Sequence, residues 1–268
     1  MKNKKQQKLH SILNRYNSIL IAYSGGVDST LLLHEAFQVL QTKAIAVTIE
    51  SELIPTDEIT DAKYFTKNLG IEHIIIPVDI LSNPEFIKNS EMRCYICKKI
   101  ILEKMIGIAK ERSISAVAHG ANMDDFNDFR PGMKAAKELG VIAPLVEAAF
   151  NKEEIRSLSK ELSLKTFDKA EMACLASRVP TGNKITREKL KMIERSEKYL
   201  KEAGFTKYRV RHINETAKIE VAPQEFEKIL NHKIRKKILK ELKSYGFQTI
   251  TVDLEGYKKG SMNHLNSI

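Results

Sequence analysis

Ser24-Gly25-Gly26-Val27-Asp28-Ser29 is the stretch whose reading decides the fold. Just before it, Ser18 to Tyr23 (SILIAY) is a short continuous apolar run that reads as a buried strand, and Asp28 to Leu40 carries helical spacing. Paired glycines between a strand and a helix let the backbone approach an anion closely. Their amides join those of the helix N-terminus in pointing at it. Ser24 and Ser29 add hydroxyl donors. Asp28 is acidic where phosphate would sit, which suits a residue that holds Mg²⁺ or orients the loop. A serine-glycine turn capped by Asp28 would also start a helix well, and it is the strand-loop-helix setting that favours a phosphate site. No Gly-Lys-Ser/Thr follows, so this is not a Walker loop.

Outward from the loop, apolar strands and amphipathic stretches alternate. Lys43 to Ile49 reads as a second strand, Thr56 to Leu69 as a helix stopped by Gly70, and His73 to Val78 as a third strand. Cys97 to Arg112 is helical, Ala116 to His119 is a fourth strand, and Gly132 to Leu139 is a helix. Asn151 caps another helix running to Leu162. This rhythm predicts an α/β fold with a mainly parallel sheet over residues 1–168. After Asp168 it changes. A helix from Thr186 to Ala203, paired strands at Tyr208–Ile213 and Ala217–Val221 turning at Asn214-Glu215, helices between Pro223 and Tyr245, and a strand at Gln248–Leu254 predict a small α+β domain over 169–268.

Of the 268 residues, 43% are hydrophobic and 29% charged, the composition of a folded globular chain. No run approaches the apolar length of a membrane span, and the polar start, Met1 to Gln7, does not read as a signal peptide. A cytoplasmic protein without membrane partners is expected. The net charge of +10 is spread along the chain apart from the N-terminal tail and Lys233 to Lys243. There is no aromatic-basic platform for single strands, so nucleic acid is not the expected partner. Phosphate-bearing ligands would suit this sign.

The three cysteines are Cys94, Cys97 and Cys174, too few for a disulfide scaffold. Cys94-Tyr95-Ile96-Cys97 stands at a predicted helix start beside Arg93, Lys98 and Lys99, a setting that favours thiolates. The pair reads as half a zinc site, a redox pair, or coincidence. Zinc would need Cys174 and a histidine such as His119 as well. Cys174 in Glu171–Gly182 (EMACLASRVPTG) also fits a small apolar residue packed under a loop.

The Ser24–Ser29 loop resembles that of the PP-loop ATP pyrophosphatases. That resemblance implies ATP cleaved between the α and β phosphates, with AMP left on the substrate and residues 49–52 near the adenine and ribose. Six segments together resemble one branch, the LarE family of ATP-dependent sulfur transferases that mature the nickel-pincer cofactor of lactate racemase. They are SGGVDST from Ser24, SEL at 51–53, RCYICK at 93–98, HGANMDDFNDFRPG at 119–132, ACLASRVPTG at 173–182 and YRVRHI at 208–213. The resemblance implies a PP-loop domain followed by a small oligomerising domain, hence a homo-oligomer. It also implies a nucleotide-like small-molecule substrate, a pyridinium dicarboxylate mononucleotide whose carboxylates become thiocarboxylates.

Carried over by the resemblance, Ser24, Gly25, Gly26, Asp28, Ser29 and Gly120 would bind ATP with Mg²⁺, Asp28 also counting as catalytic. Asp124, Asp128 and Arg130 lie beyond the fourth strand, where ligands bind in open α/β sheets. With Ser177, Arg178, Arg209 and Arg211 they form the expected substrate and phosphate set, although polar turns and an exposed strand face read equally well. Glu197 and Glu220 match acidic family positions and otherwise read as surface charges.

The family implies two sulfur sources. A cysteine at the position of Cys174 can surrender its own sulfur, which leaves the 94/97 pair unexplained. Alternatively Cys94, Cys97 and Cys174 can hold a [4Fe-4S] cluster with one iron open for hydrosulfide, which is the expectation preferred here. Sulfide or another sulfur donor would then be a reactant. A tRNA-thiolating enzyme with the same loop and cysteines is the main rival, and it calls for an RNA-binding module or dense basic face that the sequence lacks.

Overall fold

The computed structural model describes residues 4–126, 131–169 and 173–258. In chain order come α1 (Lys4–Leu13), β1 (Ile19–Ala22), α2 (Val27–Leu40), β2 (Ala44–Glu50), α3 (Thr56–Leu69) and β3 (His73–Pro77). Next are α4 (Pro84–Ile87), α5 (Arg93–Glu111), β4 (Ala116–His119), α6 (Pro131–Glu138), α7 (Pro144–Glu147) and α8 (Lys152–Glu161). The last are α9 (Arg187–Glu202), β5 (Tyr208–Ile213), β6 (Thr216–Val221), α10 (Phe226–Leu230), α11 (His232–Ser244) and β7 (Thr249–Val252). No helix among the described residues is long and apolar enough to cross a membrane.

Two compact units emerge, Met1–Ile80 with Cys94–Met172, and Leu81–Arg93 with Ala173–Ile268. The first holds a parallel sheet in the order β3-β2-β1-β4. β2 buries six consecutive residues, as a strand covered on both faces must. β1 lies inside, with Ala22 opposite both Val47 and His119. Successive strands step from β1 to β3 on one side and then cross to β4 on the other. The switch point therefore falls between the carboxyl ends of β1 and β4, where ligands bind in open α/β sheets. A single parallel bridge from Ala118 to Ile142 continues the sheet past β4.

Local chemistry explains the boundaries. Gly70 ends α3 in the left-handed conformation, φ 70°, that favours glycine. Asn151 and Glu154 form a reciprocal capping box at α8. α5 begins at Arg93, one turn earlier than the expected Cys97, so both cysteines are helical. The basic N-terminal tail conceals α1, whose Leu9, Ile12 and Leu13 are fully buried.

α1 is pinned to α2 through Glu35. Gln6 Nε2 donates to Glu35 Oε2 at 2.9 Å, His10 Nε2 lies 2.6 Å from the same oxygen, and His34 Nδ1 lies 3.0 Å from Oε1. Burial alone would raise this carboxyl, but the hydrogen bonds from His34, Gln6 and His10 outweigh it and lower its pKa from 4.5 to about 2. A depressed folded-state pKa contributes stability above pH 4.5 that is lost as pH falls towards 2. Urea melts across that window should show a steeper acid loss in the wild type than in Glu35→Gln. Equal slopes would remove Glu35 as the cause.

The second unit contains the antiparallel hairpin β5-β6, turning at Asn214-Glu215 as expected, with β7 parallel to β6. The sequence boundary at 168/169 puts Leu81–Arg93 in the first domain, yet its contacts lie with the second unit. Buried Asn89 is the reason. Its Nδ2 donates to the carbonyls of Val179, Pro180 and Asn183, and its own carbonyl accepts from Gly182 N at 2.9 Å.

Candidate active site

In the first unit the β1-α2 loop is held open by its own hydroxyls. Ser24 Oγ and Ser29 Oγ lie 3.1 Å apart, Ser24 N donates to Ser29 Oγ at 3.2 Å, and Gly26 N to Ser24 Oγ at 3.4 Å. Gly25 takes φ +70°, and Gly26 is the N-cap of α2 with no side-chain cap, so this helix start lacks the cap that would compete with an anion for its first backbone N–H groups. Gly120, just past β4, closes the loop from the other side of the switch point. A Cβ there would stand 2.9 Å from Ser29 N, 3.1 Å from Ser29 Cα and 3.2 Å from Asp28 C. Its role in this fold is to let two backbones touch.

Two lysines that the sequence reading missed serve this loop. Lys152 Nζ lies 2.5 Å from Asp28 Oδ2, while Asn122 Nδ2 donates to Asp28 Oδ1 at 3.2 Å. Lys169 Nζ donates to Gly25 O at 3.3 Å and pairs with Glu58 at 2.6 Å. Both stand far from the motif in sequence, and the Asn151 capping box marks only the start of α8, where Lys152 stands.

Asp124 is tied into the fold beside the loop. Its Oδ2 accepts the Lys152 backbone N–H at 2.8 Å and so caps α8, while its own N–H donates to Asn122 Oδ1 at 2.9 Å. Asp128 and Arg130 lie outside the described residues.

Cys94 is exposed and Cys97 half-buried, three residues apart on α5 and therefore neighbours on one helix face. Lys98, half-buried beside Cys97, has its ammonium pushed down by burial, with Cys97 and Asp125 acting in the opposite direction. His119 is buried, and desolvation and the Lys98 charge lower its pKa to about 3, so its ring is neutral. Among the described residues no three His, Cys, Asp or Glu side chains form a group able to hold a metal ion.

Cys174 belongs to the second unit, half-buried at the N-cap of a turn of 3₁₀ helix, Leu175–Arg178. The expected phosphate forks Arg178 and Arg211 are committed to carboxylates. Arg178 pairs with Glu197 through Nε at 3.0 Å and Nη2 at 2.9 Å. Arg211 pairs with Glu220 through Nε at 3.0 Å and Nη2 at 2.8 Å. All four are buried, so Glu197 and Glu220 are not surface charges. A guanidinium this enclosed requires a fixed partner. Arg178 Nη1 also donates to the carbonyls of Ala173 and Cys174 and to Ser177 Oγ, and Arg211 Nη1 to Ser177 O. The arginines thus fix the backbone that carries Cys174. Arg209 is half-buried over the Tyr257 ring at 5.1 Å, and burial and the Arg178 charge hold it below the usual guanidinium range.

Comparison with known proteins agrees with this frame. The family model described as the argininosuccinate synthase N-terminal HUP domain matches residues 18–165, which contain the phosphate loop, its sheet and Lys152. The chain is 34% identical over 260 residues to the pyridinium-3,5-bisthiocarboxylic acid mononucleotide synthase of Lactiplantibacillus plantarum, covering 97% of this chain and 94% of that one. The chain belongs to the LarE family. The chain is also 36% identical to an uncharacterised protein of Synechocystis (99% of each chain) and 33% identical to an uncharacterised protein of Methanocaldococcus jannaschii (90% of each). As a LarE-family member with a PP-loop domain, the chain is an ATP-using sulfurtransferase.

Proposed function

We propose that the chain adenylates a carboxylate of a pyridinium dicarboxylate mononucleotide and replaces a carboxylate oxygen by sulfur. The observation that carries this reading is full-length similarity to a pyridinium-3,5-bisthiocarboxylate mononucleotide synthase, in a chain whose phosphate loop is built at the switch point. Ser24, Gly25, Gly26 and Ser29 bind the polyphosphate. A substrate carboxylate oxygen attacks the α-phosphorus, the bond to the β-bridging oxygen breaks, and pyrophosphate leaves. The resulting acyl adenylate has AMP as a good leaving group. Sulfide adds to its carbonyl carbon and expels AMP, giving the thiocarboxylate.

The residue types suit the groups this chemistry calls for, although no three such side chains are gathered into a metal site among the described residues. Asp28 places one carboxylate beside the loop amides and would hold Mg²⁺, which neutralises phosphate charge when bound. The Cys94–Cys97 pair on one helix face suits two thiolate ligands of iron, and Cys174 is the third thiol. Three thiolates leave one iron of a [4Fe-4S] cluster without a protein ligand, which is where sulfide would be supplied. Arg178 and Ser177 hold the Cys174 backbone, and Arg209 is proposed as the guanidinium that meets a substrate phosphate.

Iron and acid-labile sulfide per chain, on protein purified without oxygen, test the sulfur source. About four of each, lost when the three cysteines are changed to Ala, is the expected result. Absence of iron after anaerobic reconstitution, with loss of H₂S from Cys174 during turnover, would instead make Cys174 the sulfur donor.

A further inference from the structure

We infer that Lys152 is a mobile counter-charge of the reaction. It occupies the Asp28 carboxylate in the nucleotide-free protein and transfers to the polyphosphate when Mg²⁺ and ATP arrive. This rests on the reading of Ser24–Ser29 as the ATP site. Three observations lead to it. Lys152 Nζ sits 2.5 Å from Asp28 Oδ2, on the loop carboxylate that Mg²⁺ would claim. Asp28 Oδ1 is already tied to Asn122 Nδ2 at 3.2 Å, so a cation approaching Asp28 meets the Lys152 ammonium first.

The third observation is how the lysine is rooted. Its backbone N–H is fixed by Asp124 Oδ2 at 2.8 Å, and the preceding Asn151 is locked in the capping box with Glu154. The backbone end is rigid, while the side chain is 23% exposed on a four-carbon stem. An ammonium and a divalent cation repel at one carboxylate oxygen, so binding of the metal releases Lys152. The anion nearest to a lysine so rooted is then the phosphate chain bound on the same loop. There its charge stabilises departing pyrophosphate.

Lys152→Met and Lys152→Arg separate this role from a structural one. Nucleotide-free Mn²⁺ binding, followed by electron paramagnetic resonance, should tighten about fivefold in Lys152→Met, because no ammonium competes for Asp28. Pyrophosphate release by the same variant should slow by roughly tenfold or more at saturating Mg²⁺-ATP. Lys152→Arg, which keeps the cation, should stay near the wild type in Mn²⁺ affinity. Unchanged Mn²⁺ affinity in Lys152→Met overturns the inference, even if turnover falls, because the lysine would then only anchor α8. If the wild type binds no ATP, the reading of the loop fails first. Weakened ATP binding in Gly120→Ala together with unchanged Mn²⁺ affinity in Lys152→Met would leave the loop reading intact and overturn the role of Lys152 alone.

Discussion

Replacing Arg178 with alanine is expected to destabilise the second unit by about 3–5 kcal/mol, the cost of leaving a buried carboxylate without its partner. The orphan would be Glu197, which also accepts the Val210 backbone N–H at 3.1 Å and so cannot rotate out without cutting into β5. The same change removes the Arg178 Nη1 bonds to the carbonyls of Ala173 and Cys174, leaving Cys174 O with the Ser177 N–H. A lower urea midpoint and faster modification of Cys174 by a thiol reagent are the paired outcomes. Replacing both members by methionine should recover part of the stability but not the slow modification, since an apolar pair removes the buried charge without restoring the clamp. A loss below about 1 kcal/mol would mean that water reaches the pair and that the clamp does not exist.

The second large effect is expected at Gly120. An alanine Cβ there would stand 2.9 Å from Ser29 N, and the obstacle is backbone, which has no rotamer to move to. The loop must retreat, so ATP-dependent pyrophosphate release should fall on the order of 10²-fold, as when reacting groups are misplaced by about an ångström. Overpacking should add about 1–3 kcal/mol of instability. Gly107→Ala is the control. It lies inside α5 with nothing within 4 Å of the added Cβ, and it should stabilise by up to about 1 kcal/mol. Equal activity in the two variants would show that the Gly120 contact does not set the loop.

The sequence shows most of the fold because the elements are locally marked. β1, β2 and β4 are apolar runs ended by turns, α3 has a glycine stop, and α8 a capping box. α1 was hidden because its lysines dominate the composition, although Leu9, Ile12 and Leu13 repeat at helical spacing. Leu81–Arg93 could not be assigned to its unit from sequence, since Asn89 and the Ile87 carbonyl tie it to residues 90 or more positions away.

The site divides the same way. Its phosphate loop is contiguous and so legible, whereas Lys152 and Lys169 reach it from 124 and 144 residues downstream. Arg178 and Arg211 have the chemistry of phosphate ligands, and only burial reveals that Glu197 and Glu220 already occupy them. A charged residue in sequence declares its sign but not its partner.

The most direct test of ATP-driven sulfur transfer is product analysis of one reaction. Anaerobic protein would be incubated with Mg²⁺-ATP, sulfide and pyridinium-3,5-dicarboxylic acid mononucleotide, and nucleotides and organic product followed together by chromatography and mass spectrometry. AMP, pyrophosphate and a product in which sulfur replaces carboxylate oxygen, formed in equal amounts, are expected. ADP with phosphate, or AMP and pyrophosphate without any sulfur-containing product, would contradict the account.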